Sequence, residues 1–362
     1  MRRLRVGIMT SARTWRGSTV SLSGIAAGLQ RRGHAVRLFA GEEQIVQAVL
    51  AQGVPAVLTP LRNTGLREIR ALRAALRSSP VDVFIADRPR DLRLGALATA
   101  GSSTALVYRY NVRRPRPPAD LLTRLTYRRL ALTVFISRTH AAETLAAARF
   151  MRRAPWRVIY NGIDASVFRP DPALGLAFRE RVGLGSGPVA LGSGAFFPDK
   201  RFDILIRAMK SLGATAPTLV LCGTGVDEGR LRSLSEQLGV EVRFTGFLEP
   251  EALAGAYNAA TVFLHACPVE SFGRSVAEAM ACGRPVVTVN AGPLAEVVGD
   301  AGVLVPPDDP AALGAACRRL LEAGAEREAL GRLARTRCVE RFSLERSLDD
   351  YESMCLEVSA GI

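Results

Sequence analysis

Short apolar runs separated by amphipathic stretches constrain this chain more than any other feature. LRVGIMTS reads as a buried strand, TVSLSGIAAGLQRRG has helical apolar spacing and stops at Gly33, and His34 to Phe39 is apolar again. Strand, helix, strand in that order is a βαβ unit, and a sheet built this way is parallel. VDVFIA, ALVYRY, LTVFIS and WRVIY carry the alternation to Asn161. Prolines and GLGSG then crowd residues 169–188, and the alternation restarts with VALGSG. Strands are expected at 189–193, 218–222, 242–244 and 262–265, and helices at 202–212, 227–238, 250–259 and 272–282, with wholly helical chain from Pro310. The fold class is therefore α/β: two Rossmann-like doubly wound domains facing across a cleft, and a helical C-terminus. Residues 1–168 make the first domain, 169–342 the second, and 343–362 a closing helix able to pack back on the first.

A chain of 362 residues suits two cores. No apolar run approaches the roughly 18 to 20 residues of a membrane span, and the opening MRRLRVGIMTSAR holds only a strand's length of apolar residues, so neither anchor nor signal peptide is expected. All six cysteines lie in the second half without metal or redox spacing, and read as small core residues of a reducing cytoplasm. Three scattered histidines and the lack of any Asp-x-Asp suggest no metal ligand set.

The net charge of +14 is unevenly placed. Residues 1–168 hold 28 arginines against nine acids, whereas residues 169–362 are acidic on balance, which points to an anionic partner for the first half. Residues 109–157 alone hold twelve arginines, and ADLLTRLTYRRL interleaves leucines with Arg124, Arg128 and Arg129. A helix there presents either an interfacial face to an anionic membrane or glycolipid, or an ordinary surface helix packed by its leucines. Of the 48 basic residues only Lys200 and Lys210 are lysines, which singles them out.

VESFGRSVAEAMACGRPVV, residues 269–287, places Glu270 before a helix and Glu278 a turn and a half into it, with Phe272 and Gly273 between. Helix N-termini at the carboxyl edge of a parallel sheet offer free amides to an anion, and carboxylates there accept from sugar hydroxyls. The same acids could equally serve only to stabilise the positive end of a helix. The wider pattern favours a ligand. VIYNGIDASVFRP, GAFFPDKRFDILIRA, LCGTGVDEGRL, VRFTGFLEPEAL and NAGPLAEVVGDAGVLVPPDDPAAL follow in order. Together they resemble the retaining glycosyltransferases of family 4, which have the two-domain GT-B fold.

That resemblance implies an enzyme using a nucleotide-diphosphate sugar, with no further cofactor. Glu270 would contact the transferred sugar and Glu278 the donor ribose. Ser271 and the amides of Phe272 and Gly273 would hold sugar and phosphate oxygens, Lys200 the diphosphate, and Gly194, Gly223 and Phe247 the nucleotide side. In the first domain Gly17 and Ser18 would approach the diphosphate through backbone amides. Two departures stand out. Ala195 replaces the family's usual arginine, and Arg274 stands where leucine is usual, so Arg274 either supplies the missing cation, meets an acidic group on the sugar or acceptor, or only reaches solvent. The family's histidine after ALVYRY is also missing; its role is absent or passes to Arg109 or Asn111. Retaining chemistry in which the leaving phosphate takes the acceptor proton tolerates that gap.

The resemblance thus implies a metal-independent transferase acting on a lipid-linked or envelope glycan acceptor, of lipopolysaccharide or exopolysaccharide type. Acceptor or membrane contacts fall to Arg109, Arg124, Arg128 and Arg129, on a cytoplasmic protein peripheral to the inner face of the membrane. A basic polyanion- or nucleic-acid-binding protein on an α/β scaffold, or a GT-B epimerase, is the alternative. The nucleic-acid alternative explains the charge but lacks the aromatic-rich strands of an RNA-binding sheet.

Overall fold

The computed structural model describes residues 2–15, 17–61, 63–112 and 119–361. The chain divides into two compact units: Met1–Gly162 with Leu344–Ile362, and Ile163–Ser343. The sequence-based division at 168/169 therefore falls six residues late. Ile163 donates its amide to Phe342 at 2.8 Å, and Phe168 packs edge-on against Tyr257, so 163–168 are already fastened to the second unit.

In the first unit, strands β1 (Arg5–Thr10), β2 (Ala35–Ala40), β3 (Ala56–Leu58), β4 (Val83–Ala86), β5 (Ala105–Tyr110), β6 (Leu130–Phe135) and β7 (Trp156–Val158) form one sheet. Its order is β3-β2-β1-β4-β5-β6-β7, with every pairing parallel. Helices on both faces leave the central strands no solvent side, which is why β4 is buried throughout. The final helix, Leu344–Ser359, packs on the helix Gly17–Arg31, and its Tyr351, Met354 and Cys355 join one of the two apolar layers. Arg32 fastens it by ion pairs to Glu345, Asp349 and Glu352.

The second sheet comprises β8 (Val189–Ser193), β9 (Thr218–Cys222), β10 (Val242–Phe244), β11 (Val262–His265), β12 (Val286–Val289) and β13 (Val303–Val305). Its order is β10-β9-β8-β11-β12-β13, again all parallel. The expected strands 189–193, 218–222, 242–244 and 262–265 and helices 202–212 and 250–259 coincide with the structure. Two places differ. The proline-rich stretch after 169 contains a helix, Pro172–Arg181, because Asp171 caps it by accepting from the Leu174 amide and Pro172 suits a first turn. The helix expected at 272–282 runs Arg274–Ala281, since Gly273 lies at φ 90° and cannot belong to it.

Candidate functional site

Because the second sheet is parallel, the loops after β8, β9 and β11 leave from one edge. The first two loops interlock through their backbones: Gly194 N donates to Cys222 O at 2.9 Å, Phe196 N to Thr224 O at 2.9 Å, and Gly223 N to Gly246 O at 2.8 Å. Gly223 sits at φ 143°, and a Cβ there would come within 1.8 Å of the Gly194 carbonyl oxygen. The amides of Gly194 and Gly223 are thus spent internally, so these two glycines offer a ligand a bare surface and not N–H donors. Phe247, just beyond Gly246, keeps an exposed ring.

Lys200 closes the short turn Pro198–Lys200, and Arg201 behind it adopts φ 53°, held by side-chain bonds to Asp203 and Asp308. The chain thereby turns sharply and sends Lys200 Nζ to Glu270 Oε1 at 2.5 Å. His265, the last residue of β11, reaches the same oxygen from 3.4 Å, while its Nδ1 meets Thr288 Oγ1 at 3.2 Å. Burial alone would raise the Glu270 carboxyl, but Lys200 and His265 outweigh it and bring it down to about 2. Burial likewise opposes the Lys200 charge, yet Glu270 holds the ammonium above its ordinary value. The pair is charged on both sides and stays open, with 27% of the Lys200 and 15% of the Glu270 side chain exposed. Burial pushes the Cys267 thiol beside it up to about 12.

Glu278 occupies the next turn and is more enclosed. Tyr257 donates to its Oε2 at 3.0 Å, Arg274 meets its Oε1 at 2.7 Å, and burial raises its carboxyl despite both partners. Arg274 is therefore turned onto Glu278, its neighbour four residues along the helix, and not out to solvent. The Phe272 ring is buried against Phe342, which pins the backbone entering the helix. Ser271, Phe272 and Gly273 thus precede a helix whose first-turn amides face the edge that carries Lys200.

The carboxyl edge of the first sheet holds a different pair. Arg109, on β5, is completely enclosed. Its Nη1 donates to Asp87 Oδ1 at 2.6 Å, Nη2 to Asn161 Oδ1 at 2.7 Å and Ser21 Oγ at 2.9 Å, and Nε to Tyr351 Oη at 3.2 Å. The expectation that Arg109 meets an acceptor or membrane is thus corrected: its donors are consumed inside the unit. Asn111 Nδ2 donates to Asp87 Oδ1 at 2.7 Å, and its own Oδ1 has no partner among the described residues. Asp87 therefore fixes which way the amide faces. Gly17 and Ser18 open the helix Gly17–Arg31, which therefore starts two residues before the Thr19 expected from its apolar spacing.

Among the remaining arginines, Arg124 Nε donates to Ala119 O and Arg129 Nη2 to Thr99 O, so both guanidinium groups are partly spent on backbone. The helix carrying Arg124 is only Leu121–Tyr127, with Arg128 and Arg129 in the turn beyond it, and its buried residues are Thr123, Thr126 and Tyr127. Leu121, Leu122 and Leu125 are exposed, the reverse of a helix packed by its leucines. Sequence reading missed His265, Tyr257, Asp87 and Asn161. His265, Asp87 and Asn161 could have been flagged by place alone, as polar residues ending or following an apolar run; Tyr257 carries no such signal.

Models of known families match both halves: "Glycosyltransferase Family 4" over residues 15–167 and "Glycosyl transferases group 1" over 177–337. The GDP-mannose-dependent alpha-mannosyltransferase of Mycobacterium tuberculosis is 30% identical over 300 residues, 76% of each chain. A D-inositol 3-phosphate glycosyltransferase of Acidothermus cellulolyticus is 36% identical over 188 residues, 48% of this chain and 42% of that one. The chain thus spans about half the length of such inositol phosphate relatives. Among solved structures, Anabaena HepE in complex with UDP superposes with TM-score 0.85 at 19% identity, covering 98% of this chain and 100% of that one. A Rickettsia africae glycosyltransferase gives 0.87 at 16%, covering 99% of each. Two Rossmann-like units with these neighbours define the GT-B fold. The chain belongs to glycosyltransferase family 4.

Proposed function

We propose that the chain is a retaining, metal-independent glycosyltransferase that moves a hexosyl group from a nucleotide-diphosphate sugar to a lipid-linked or cell-envelope glycan. The Lys200–Glu270 pair carries this reading: a protonated amine held ready at a sheet edge beside a helix N-terminus, with an acid kept ionised. As the bond from C1 to the phosphate oxygen breaks, charge accumulates on the diphosphate, and Lys200 with the first-turn amides stabilises it. Glu270 orients Lys200 and accepts from a sugar hydroxyl. The bond from C1 to the acceptor oxygen forms on the same face, and the acceptor proton passes to the departing phosphate oxygen. Glu278 would take the ribose, Phe247 would lie along the base, and Gly17 and Ser18 would face the diphosphate from the first unit. Asn111 Oδ1, which has no partner among the described residues, would accept a hydrogen bond from a sugar hydroxyl where the family uses histidine.

The exposed Leu121, Leu122 and Leu125 near Arg128, in a strongly basic half, support peripheral contact with the anionic inner face of the cell membrane. No helix among the described residues is long and apolar enough to cross a membrane. One named relative is GDP-mannose-dependent and the solved neighbour holds UDP, so the test must span the bases. A thermal-shift panel of UDP, GDP, ADP, CDP and dTDP tests the reading. One nucleotide should raise Tm and lose that effect in Glu278→Ala. Silence from all five, with stabilisation by DNA instead, would overturn it.

A further inference from the structure

The transfer chemistry uses Lys200 and Glu270 but gives no part to His265, which stands at the same carboxylate oxygen. His265 ends β11 and Thr288 lies on β12, and the two strands pair in a register that sets these residues side by side. Neighbours so paired point to one face of the sheet, and His265 Nδ1 accordingly meets Thr288 Oγ1 at 3.2 Å. Thr288 is completely enclosed, and its hydroxyl reaches no other described residue. A buried hydroxyl left without an acceptor is costly, so Thr288 donates to Nδ1. That bond leaves Nδ1 bare and puts the ring proton on Nε2, the nitrogen that faces Glu270 Oε1 from 3.4 Å.

The two oxygens of Glu270 are unequally used. Lys200 Nζ holds Oε1 at 2.5 Å, so His265 stands back at a distance long for a hydrogen bond, and no described residue bonds Oε2. When a diphosphate arrives its oxygens compete for the Lys200 ammonium, and a buried carboxylate that loses its cation tends to take up a proton. Burial already pulls the Glu270 carboxyl that way, and only Lys200 and His265 together bring it down to about 2. We infer that His265, with its proton fixed on Nε2 by Thr288, is the positioning residue that holds Glu270 Oε1 once Lys200 turns to the diphosphate, leaving Oε2 aimed at a hydroxyl of the transferred sugar. Thr288 acts through His265 and touches no ligand. The sugar-holding role rests on the glycosyltransferase reading; the tautomer does not.

Nitrogen NMR on the full chain reads the tautomer directly: the His265 ring, assigned by comparison with His265→Gln, should show a protonated Nε2 and a bare Nδ1, and in Thr288→Val a mixture of tautomers. Titration calorimetry then compares UDP with UDP-glucose, GDP with GDP-mannose and ADP with ADP-glucose. In Thr288→Val the gain from the sugar, read as the ratio of the two affinities, should fall about tenfold, the scale of one lost hydrogen bond, while the diphosphate alone binds within about threefold of the parent. Thr288→Ser, which keeps the hydroxyl and loses the methyl, should keep that ratio despite a lower Tm. A ratio lost in Thr288→Ser and kept in Thr288→Val would make Thr288 a packing residue and overturn the proposal, as would a proton found on Nδ1 in the parent. Failure of every nucleoside diphosphate to bind the parent would overturn the transferase reading, and the sugar-holding role with it.

Discussion

The two sheets each set an ion pair at their carboxyl edge, and the pairs are built to opposite ends. Arg109 and Asp87 are sealed, with neither side chain exposed, and they bind β5, the end of β4, the helix Gly17–Arg31, Asn161 and the closing helix into one network. Lys200 and Glu270 stand partly open and touch only their own edge. The neighbouring acids diverge likewise. Burial, aided by the Asp87 charge and opposed by the Ser11 amide, pushes the Asp91 carboxyl up to about 7, whereas Glu270 is drawn down to about 2. A sealed pair organises its surroundings; an open one has charge to lend. If that contrast is right, breaking the first should cost folding and breaking the second should cost turnover.

The largest effect is expected at Arg109. Arg109→Ala leaves Asp87 buried and unpaired, and should destabilise the first unit by about 3–5 kcal/mol, read from its denaturant midpoint. Adding Asp87→Ala should restore part of that, because no lone charge remains. A stable single variant would erase the distinction between the pairs. Lys200→Ala comes next: turnover should fall on the order of 100- to 1,000-fold, the scale of losing one fixed donor to a developing charge, with a smaller loss of stability than Arg109→Ala causes, because Glu270 is partly exposed and keeps His265.

Asp91 sharpens the contrast through pH. Its folded carboxyl binds a proton up to about 7 against 3.8 in the ordinary state, so its contribution to stability is full below about pH 4 and is lost as pH rises toward 7. Asp91→Asn mimics the protonated form and should stabilise the protein by about 2–3 kcal/mol at pH 8 while changing little at pH 4. Glu270 runs the other way: its contribution is present above about pH 4.5 and fades toward pH 2. Chemical denaturation at pH 4, 6 and 8 separates the two, and a pH-independent effect of Asp91→Asn would remove Asp91 from the argument.

The second unit was far more legible in sequence than the first. Its strands are short apolar runs bounded by glycine and proline, so VALGS and VFLH announce their own limits, and each site residue follows such a run. Gly273 shortened the expected helix because positive φ at a glycine is set by the loop, not by the apolar period. In the first unit the periodicity was just as plain, yet Arg109, in a stretch with twelve arginines, read as an acceptor or membrane contact. What makes it different is Tyr351, Asn161 and Ser21, which are 242, 52 and 88 residues away in sequence. Composition hides a buried charge whose partners are all remote. The exposed leucines at 121, 122 and 125 were hidden for a related reason, since apolar spacing on a helix does not say which side the sheet lies on.

The smallest effect, and the finest test of what an open site shares out, is at Arg274. Its Nε is bonded to Glu278 Oε1, so the guanidinium can act on the donor in two ways: through its own charge on the diphosphate, or by orienting the ribose-binding carboxylate. Arg274→Ala should weaken nucleoside diphosphate binding by about tenfold, near 1.4 kcal/mol. Comparing the diphosphate with the unphosphorylated nucleoside divides the two roles. Loss confined to the diphosphate would make Arg274 the cation that Ala195 does not supply. Equal loss for both ligands would mean that Arg274 serves Glu278, leaving Lys200 as the charge on the leaving group; the second edge would then resemble the first, with a carboxylate held in place by an arginine that never meets the ligand.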